Sequence, residues 1–265
     1  MIKLKESEYS EMKKADINKL IGFIVSSGKE IVSKAGTIND KGIKKQFLTE
    51  EDLRIERGIK EIIGKLPGQH YFYAEEENNQ FIDADSVWIV DPISGTKLFI
   101  EGKPHYAIVV SHLSNGRVDL VIVYDPTVDE LFMGNSEGAF LNGKKLVAKE
   151  TQSKKIIFAP SYGWKDLDQI EKLKEKLESK YEVYPSQGSL AINYCLVVKG
   201  LFNGVVSLTK DAFPEFAGLF IANKSGLKAT NLKGHKDIVP DDRVFICGTL
   251  QNYNDLLNLT KEVIS

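Results

Sequence analysis

The sequence predicts a mixed α/β protein in which helices come first, a meander of strands follows, and strands and helices alternate at the end. Apolar residues recur at helical spacing from about residue 10 to residue 34 and again after Thr49. The middle of the chain alternates β-prone segments, two of them separated by Asn115-Gly116, a pair typical of hairpin turns. From about residue 156 onward, strand and helix patterns alternate.

Bulk composition is that of an ordinary globular protein and excludes several classes. The 265 residues are 42% hydrophobic and 27% charged, and the net charge of −2 argues against a protein that coats nucleic acid. No apolar run reaches the length of a membrane span, and the N-terminus has no apolar signal-like core. Two isolated cysteines, Cys195 and Cys247, favour free thiols in a reducing compartment. We therefore expect a cytoplasmic protein with neither a membrane nor a nucleic-acid partner.

Two N-terminal helices are predicted with buried apolar faces. The inner face of the first is Ile17, Leu20, Ile21, Ile24, Val25 and Ile31, and that of the second is Ile55, Ile59, Ile62 and Ile63. Thr49 is the expected N-cap of the second helix, with Glu51 and Asp52 in the first turn, where the helix dipole favours negative charge.

The remaining elements follow from the same patterns. The strands of the middle region are expected at 71–73, 106–113, 118–124, 130–134 and 138–141, and a further strand at 156–159. Helices are expected at 166–179, 189–199, 213–225 and 252–264.

The stretch from Trp88 to Phe99 is the most informative part of the chain. Three β-prone residues lead into Asp91, where we expect the strand to end, and Pro92 and Gly95 then break the run. If a helix begins after Gly95, the backbone N–H groups of Gly95 and Thr96 would point at an anion. The alternative is an ordinary turn in which Asp91 serves as a cap.

A second acidic segment, Glu75-Glu76-Glu77, directly follows the strand predicted at 71–73. Three adjacent carboxylates repel one another unless solvent or a cation neutralises them. The residues alone leave two interpretations open, an exposed acidic loop and a metal-binding segment.

Taken in order, these motifs resemble those of the inositol monophosphatase family, the magnesium-dependent, lithium-sensitive phosphatases of small phosphate monoesters. The motifs are Glu-Glu after a strand, Trp-x-x-Asp-Pro-Ile-x-Gly-Thr, and Glu-Gly-Ala-Phe-x-Asn-Gly at 137–143. Lys41, Asp52, the Gly188-Ser189 segment and Phe216-Ala217-Gly218 also match, so the resemblance covers nearly the whole chain.

The resemblance implies a layered αβαβα sandwich. An α+β half would span residues 1–147 and carry the metal motifs, and an α/β half would span 148–265 and complete the site between the halves. Members of the family are commonly dimers, so a homodimer is one expectation, which the sequence itself does not decide.

The resemblance also implies roles for individual residues. Glu75, Asp91 and the Ile93 carbonyl would hold a first magnesium ion, with Glu76 beside a more weakly bound one. Thr96, hydrogen-bonded to Asp52, would orient the attacking water, so Glu75, Thr96 and Asp52 are the expected catalytic residues. Gly95, Thr96 and Ser94 would contact the phosphate of a small phosphorylated metabolite.

Three positions depart from the family pattern, and all three belong to one part of the implied site. Ser94 and Pro214 stand where aspartates of the second metal site belong, and Ser207 stands where many members have a glutamate that holds a substrate hydroxyl. Neither serine nor proline offers a carboxylate, so we expect one intact magnesium site and a degraded second one. Asp211 and Glu215, which flank Pro214, are candidate rescue ligands.

Three functions follow from this pattern. The first is a magnesium-dependent phosphomonoesterase with weak or altered activity. The second is a catalytically silent relative that binds a phosphate compound or a single cation as a regulator or partner subunit. The third, which no adenine-binding motif supports, is a nucleotidase of the 3′-phosphoadenosine bisphosphate type.

Overall fold

A computed structural model describes residues 6–42, 47–74, 84–149, 153–161, 163–210 and 212–264, with side chains from residue 15 onward. Two helices precede the first sheet, α1 at Glu6–Val32 and α2 at Glu50–Ile63. Their predicted apolar faces are buried at Leu20, Ile24, Ile31, Ile55, Ile59 and Ile63. The prediction of two N-terminal helices is confirmed. Packing of an amphipathic face against the rest of the protein supplies most of the stability of such helices.

The first sheet has seven strands in chain order. They are β1 Tyr71–Ala74, β2 Ser86–Ser94, β3 Ala107–Ser114, β4 Arg117–Asp125, β5 Glu130–Asn135, β6 Gly138–Leu141 and β7 Lys144–Leu146. A short helix, α3 at Thr96–Ile100, follows β2. Asn115 and Gly116, which join β3 to β4, both have positive φ (51° and 73°), as a two-residue hairpin turn requires.

The second sheet has five strands in the order β11-β12-β10-β8-β9. Its strands are β8 Lys155–Pro160, β9 Glu182–Pro185, β10 Gly204–Leu208, β11 Lys228–Asn231 and β12 Val244–Gly248. The helices around it are α4 Leu167–Glu178, α5 Leu190–Val198, α6 Glu215–Ser225 and α7 Tyr253–Lys261. The four helices predicted in this part of the chain are confirmed, with boundaries that shift by a few residues.

Three apolar clusters show how the layers are stacked. One cluster joins α1 and α2 to one face of the first sheet, through residues such as Ile24, Ile59 and Trp88. The largest cluster places α5 and α6 between the two sheets. The third covers the outer face of the second sheet with α4 and α7. The order is therefore helices, sheet, helices, sheet, helices, which confirms the predicted αβαβα sandwich.

The predicted end of the central strand at Asp91 is wrong. Strand β2 continues to Ser94, with a register shift against β3 between Asp91 and Ser94. A bulge tolerates Pro92, which has no N–H to donate, and bends the strand into the turn at Gly95. The break that we placed at Asp91 therefore lies at Gly95.

Among the described residues, no helix combines the length and the apolar character needed to cross a bilayer.

Candidate active site

The N-terminus of α2 is built as predicted, with Thr49 as its cap. The Thr49 side chain accepts a hydrogen bond from the backbone N–H of Asp52, and the Asp52 carboxylate accepts one from the Thr49 backbone N–H at 2.8 Å. The Thr49 hydroxyl also donates to Asp52 Oδ2 at 2.5 Å. This reciprocal capping box fixes the side-chain direction of Asp52.

Asp52 is a carboxyl group wholly removed from solvent. Burial raises its pKa from 3.8 to about 6, although the hydrogen bonds from Thr49 and Thr96 act in the opposite direction. The group therefore changes charge at about pH 6.

Thr96 lies between Asp52 and the chain segment that precedes it. Its hydroxyl is 3.3 Å from Asp52 Oδ1 and 2.8 Å from the Ile93 carbonyl oxygen. The structure thus brings Thr96 and Asp52 together across 44 residues, in the contact that the family resemblance implies. Since a hydroxyl has one proton, Thr96 donates to only one of these two oxygens at a time.

Gly95 makes the turn between β2 and α3. Its φ of 86° lies in the left-handed region, and a Cβ there would be 3.7 Å from the backbone nitrogen of Ser189 and 3.6 Å from the Cα of Tyr106. The turn therefore meets the N-terminus of α5 closely, which places residues of the two sequence halves side by side. Asp91 is half-buried, and Ser94 is 8% exposed.

Part of the predicted metal site lies outside the described residues, namely Glu75, Glu76 and Asp211. Strand β1 ends at Ala74, which pairs with Val90, the residue before Asp91. The Tyr73 ring stacks on Phe213 with centroids 4.1 Å apart, so the end of β1 also adjoins the segment that precedes α6. Within the part of the chain that the structure describes, no three His, Cys, Asp or Glu side chains are grouped closely enough to hold a metal ion.

The altered side of the site is organised around Glu215, the first residue of α6. This carboxylate is fully buried, accepts a hydrogen bond from the Ser207 hydroxyl at 2.5 Å and accepts another from the Tyr194 hydroxyl. Pro214 occupies the N-cap of α6 and makes no side-chain cap bond. Two of the three altered positions, Ser207 and Pro214, therefore adjoin one buried carboxylate that is hydrogen-bonded inside the protein.

The electrostatic effect of Glu215 is visible in its neighbours. The pKa of Tyr194 is raised well above its ordinary value, first by burial and then by the Glu215 charge. Burial and the same carboxylate also raise the pKa of the Cys247 thiol. Both groups therefore stay neutral at physiological pH, and Tyr194 remains a donor to Glu215.

Sequence reasoning missed several residues around the candidate site. Tyr194 was hidden in the apolar helix α5, where a tyrosine gives no signal that it bonds a carboxylate on another helix. His105 and Asp125 form a pair, with Nδ1 2.8 Å from Oδ2. The Asp125-Pro126-Thr127 sequence is a turn signal that could have drawn attention to Asp125, whose side chain accepts from the Thr127 N–H at 2.9 Å.

With this geometry in hand, comparison with known proteins defines the class. The model of the inositol monophosphatase family matches residues 9–265, and the chain belongs to that family.

Among curated relatives, a protein of Thermotoga maritima named fructose-1,6-bisphosphatase/inositol-1-monophosphatase is 28% identical over 221 residues, or 83% of this chain and 84% of the relative. The Nus factor SuhB of Escherichia coli (strain K12) is 27% identical over 226 residues, or 80% of this chain and 84% of the relative.

Solved structures agree on the fold. The Thermotoga maritima IMPase superimposes with a TM-score of 0.80 and 26% identity, covering 94% of this chain and 97% of that one. An IMPase/NADP phosphatase described as complexed with Mg²⁺ and phosphate has a TM-score of 0.77 and 22% identity, with coverages of 94% and 95%. These likenesses place the fold in the same family as the sequence.

Proposed function

We propose that this protein is a magnesium-dependent phosphomonoesterase of small phosphate monoesters that works with one well-formed metal position and a degraded second one. The observation that carries the proposal is a contrast between two carboxylates. Asp52 is hydrogen-bonded to Thr96 beside the β2–α3 turn, whereas Glu215 is hydrogen-bonded to Ser207 and Tyr194 inside the protein. We expect its turnover to be slow or its substrate to be unusual.

The donor set on the β2 side fits a hard cation. Asp91 offers a half-buried carboxylate, and the Ile93 carbonyl lies two residues further along the same bulged strand. Oxygen ligands of this kind suit Mg²⁺, and Glu75 and Glu76 would complete the set that the family resemblance implies. Bound Mg²⁺ would neutralise phosphate charge and activate a water molecule.

Asp52 and Thr96 have a role that follows from their own chemistry. Above a pH of about 6, where Asp52 is ionised, its carboxylate accepts the Thr96 hydroxyl proton in a hydrogen bond. The Thr96 oxygen is then left as an acceptor for a water molecule. The pair would orient a water towards a phosphate held near the Gly95 and Thr96 N–H groups.

We infer that the second metal position lacks comparable donors, and of its two candidate rescue ligands the structure describes Glu215. If Glu215 were to replace the missing ligand of the second metal position, its carboxylate would have to give up hydrogen bonds from two hydroxyl groups and move out of a fully buried position. Breaking those hydrogen bonds without replacement costs on the order of 1–3 kcal/mol for each buried group left unsatisfied. This cost supports a degraded second site, and it leaves Asp211 as the remaining rescue candidate.

Calorimetric titration with Mg²⁺ and then Mn²⁺, with and without inorganic phosphate, tests the proposal directly. We expect one site in the millimolar range and phosphate binding that depends on the metal. Phosphate release from inositol 1-phosphate, fructose 1,6-bisphosphate and a 3′-phosphoadenosine compound would then measure turnover. Two equally filled metal sites, or turnover of about 10 s⁻¹ as in a median enzyme, would overturn the view that the second site limits this protein.

A second candidate is a catalytically silent family member that acts through a partner. The Escherichia coli relative is named a Nus factor and not a phosphatase, which makes this alternative concrete. Metal and phosphate binding without detectable release of phosphate from any of the three esters would favour it.

A further inference from the structure

His105 occupies a corner between α3 and β3 that joins the two halves of the chain. It is one of four non-glycine residues with positive φ in the described part of the chain, at 67°. Such a backbone conformation is unfavourable for a residue with a side chain and persists only when its surroundings hold it.

The polar groups of His105 reach three other segments. Its backbone N–H donates to the Thr127 hydroxyl at 3.2 Å, and its Nδ1 lies 2.8 Å from Asp125 Oδ2. Its carbonyl oxygen accepts the backbone N–H of Ser189, the N-cap of α5, at 2.8 Å. One residue therefore connects the β4–β5 turn with the start of a helix in the second half.

Asp125, whose Oδ2 accepts the hydrogen bond from His105, is held in place by burial and by further hydrogen bonds. Asp125 is 1% exposed, and its other oxygen accepts from the Thr127 hydroxyl at 2.6 Å and from the Thr127 N–H. Because the Asp125 oxygen accepts this hydrogen bond, the His105 Nδ1 carries the proton in both charge states of the ring.

His105 also packs closely against Gly188, just before the start of α5. A Cβ on Gly188 would lie 2.5 Å from the carbonyl oxygen and the Cβ of His105, so only glycine fits there. The adjoining Ser189 nitrogen is 3.7 Å from the position of a Cβ on Gly95. The His105 corner, the start of α5 and the Gly95 turn are thus packed against each other.

We propose that His105 is a positioning residue that holds the N-terminus of α5 against the Gly95 turn, and that protonation of its imidazole tightens this hold. The relevance of the contact for phosphate binding rests on the function proposed above. The contact itself does not, and it can be tested without any substrate.

The direction of the pH effect follows from the surrounding charges. The hydrogen bond to Asp125 is the largest influence on the pKa of His105 and raises it, whereas partial burial lowers it. Among the nearby charges, Glu130 raises this pKa and Lys199 lowers it. Tyr106 and Cys195 also lie near Asp125, and burial raises the pKa of both, so they stay neutral. A raised pKa means that the charged pair is complete at acid pH and is lost as pH rises through that pKa.

Backbone amide exchange at Ser189 and the first turn of α5 reads out the proposed effect. After correction for intrinsic exchange rates, we expect the wild-type protein to lose about fivefold in protection between pH 6 and pH 8.5, the difference between a charged and a neutral hydrogen bond. His105→Asn keeps a residue that tolerates positive φ but removes the titrating ring, so its protection should be independent of pH. The exposed His235 supplies the control His235→Asn, which should behave like the wild type.

Asp125→Asn provides a second variant that leaves the backbone at residue 105 unchanged, and it should also abolish the pH dependence. A flat wild-type profile, or a His105→Asn or Asp125→Asn variant that retains the wild-type profile, would overturn the proposal. Inorganic phosphate binding in Mg²⁺ at the same two pH values separates the two claims. If the wild type binds no phosphate but shows the exchange effect, the proposed function fails and the positioning role stands.

Discussion

The carboxylates on the two sides of the candidate site differ in their hydrogen-bond partners and surroundings. On the side formed by β2, α2 and α3, Asp52 is buried but hydrogen-bonded to Thr49 and Thr96, and Asp91 is half-buried. On the side formed by β10 and α6, Glu215 is buried and bonded to Ser207 and Tyr194, which belong to the surrounding core elements.

This difference shows that a carboxylate next to a lost ligand position does not automatically replace it. Pro214 begins α6 without a side-chain ligand, and the following residue, Glu215, is directed into the layer between the sheets. Because successive residues at a helix start point in different directions, a shift of one position changes a carboxylate from a site ligand into a core group.

The largest expected effect is on stability and comes from Glu215→Ala. The change removes the acceptor of the buried Tyr194 hydroxyl and the nearer of the two acceptors of the Ser207 hydroxyl. It also opens a cavity, so we expect a loss of about 2–5 kcal/mol in the free energy of unfolding. Urea denaturation measures it, with Glu171→Ala on the exposed face of α4 as the control. If Glu215→Ala instead unfolds like the wild type and loses Mg²⁺ affinity, Glu215 is a metal ligand and the comparison above fails.

Restoring carboxylates on the altered side should sharpen the same comparison. We expect Ser94→Asp combined with Pro214→Asp to strengthen Mg²⁺ binding at the second position by about 100-fold, since ligand charge sets the affinity for hard cations. Phosphatase activity should rise with it. Calorimetry detects the gain, and Ser26→Asp with Pro67→Asp adds the same charge at two exposed positions as a control. Unchanged affinity in a folded variant would show that these two positions do not limit the site.

On the β2 side, the pKa of Asp52 predicts a pH dependence of stability. Its folded pKa of about 6 exceeds the ordinary 3.8, so its favourable contribution is complete below 3.8 and is lost as pH rises through 6. Between pH 4 and pH 7, the wild type should lose about 2–3 kcal/mol relative to Asp52→Asn. Urea denaturation at a series of pH values tests this, and parallel curves for the two proteins would contradict it.

The smallest effect expected is that of the α2 cap. Thr49→Ala removes the cap and one partner of Asp52, so stability should fall by about 1 kcal/mol and phosphate affinity should fall as well. Asp166, the N-cap of α4, accepts from the Gln169 N–H at 2.9 Å and offers the matched control Asp166→Ala. That control should lose similar stability and keep its phosphate affinity. If Thr49→Ala and Asp166→Ala bind phosphate with equal affinity, the α2 cap does not contribute to the phosphate site.

Local sequence patterns predicted most of the helices and strands. Helical periodicity found α1 and α2, and Asn115-Gly116 found the β3–β4 hairpin, because these elements depend on neighbours in sequence. Short strands such as β7 and β9 went unpredicted, and β2 was ended too early at Asp91. A bulge that carries a strand past a proline depends on the pairing strand, which local patterns do not contain.

The sequence by itself determined the family, the layered fold and the identity of the altered positions Ser94, Ser207 and Pro214, because residue types at fixed spacing are readable along the chain. Only the tertiary structure decided where Glu215 points, that Tyr194 donates to it, and that His105 joins Asp125 to the start of α5. These contacts span between 20 and 84 residues of sequence and are made by side chains whose direction depends on packing, and packing is a property of the whole fold.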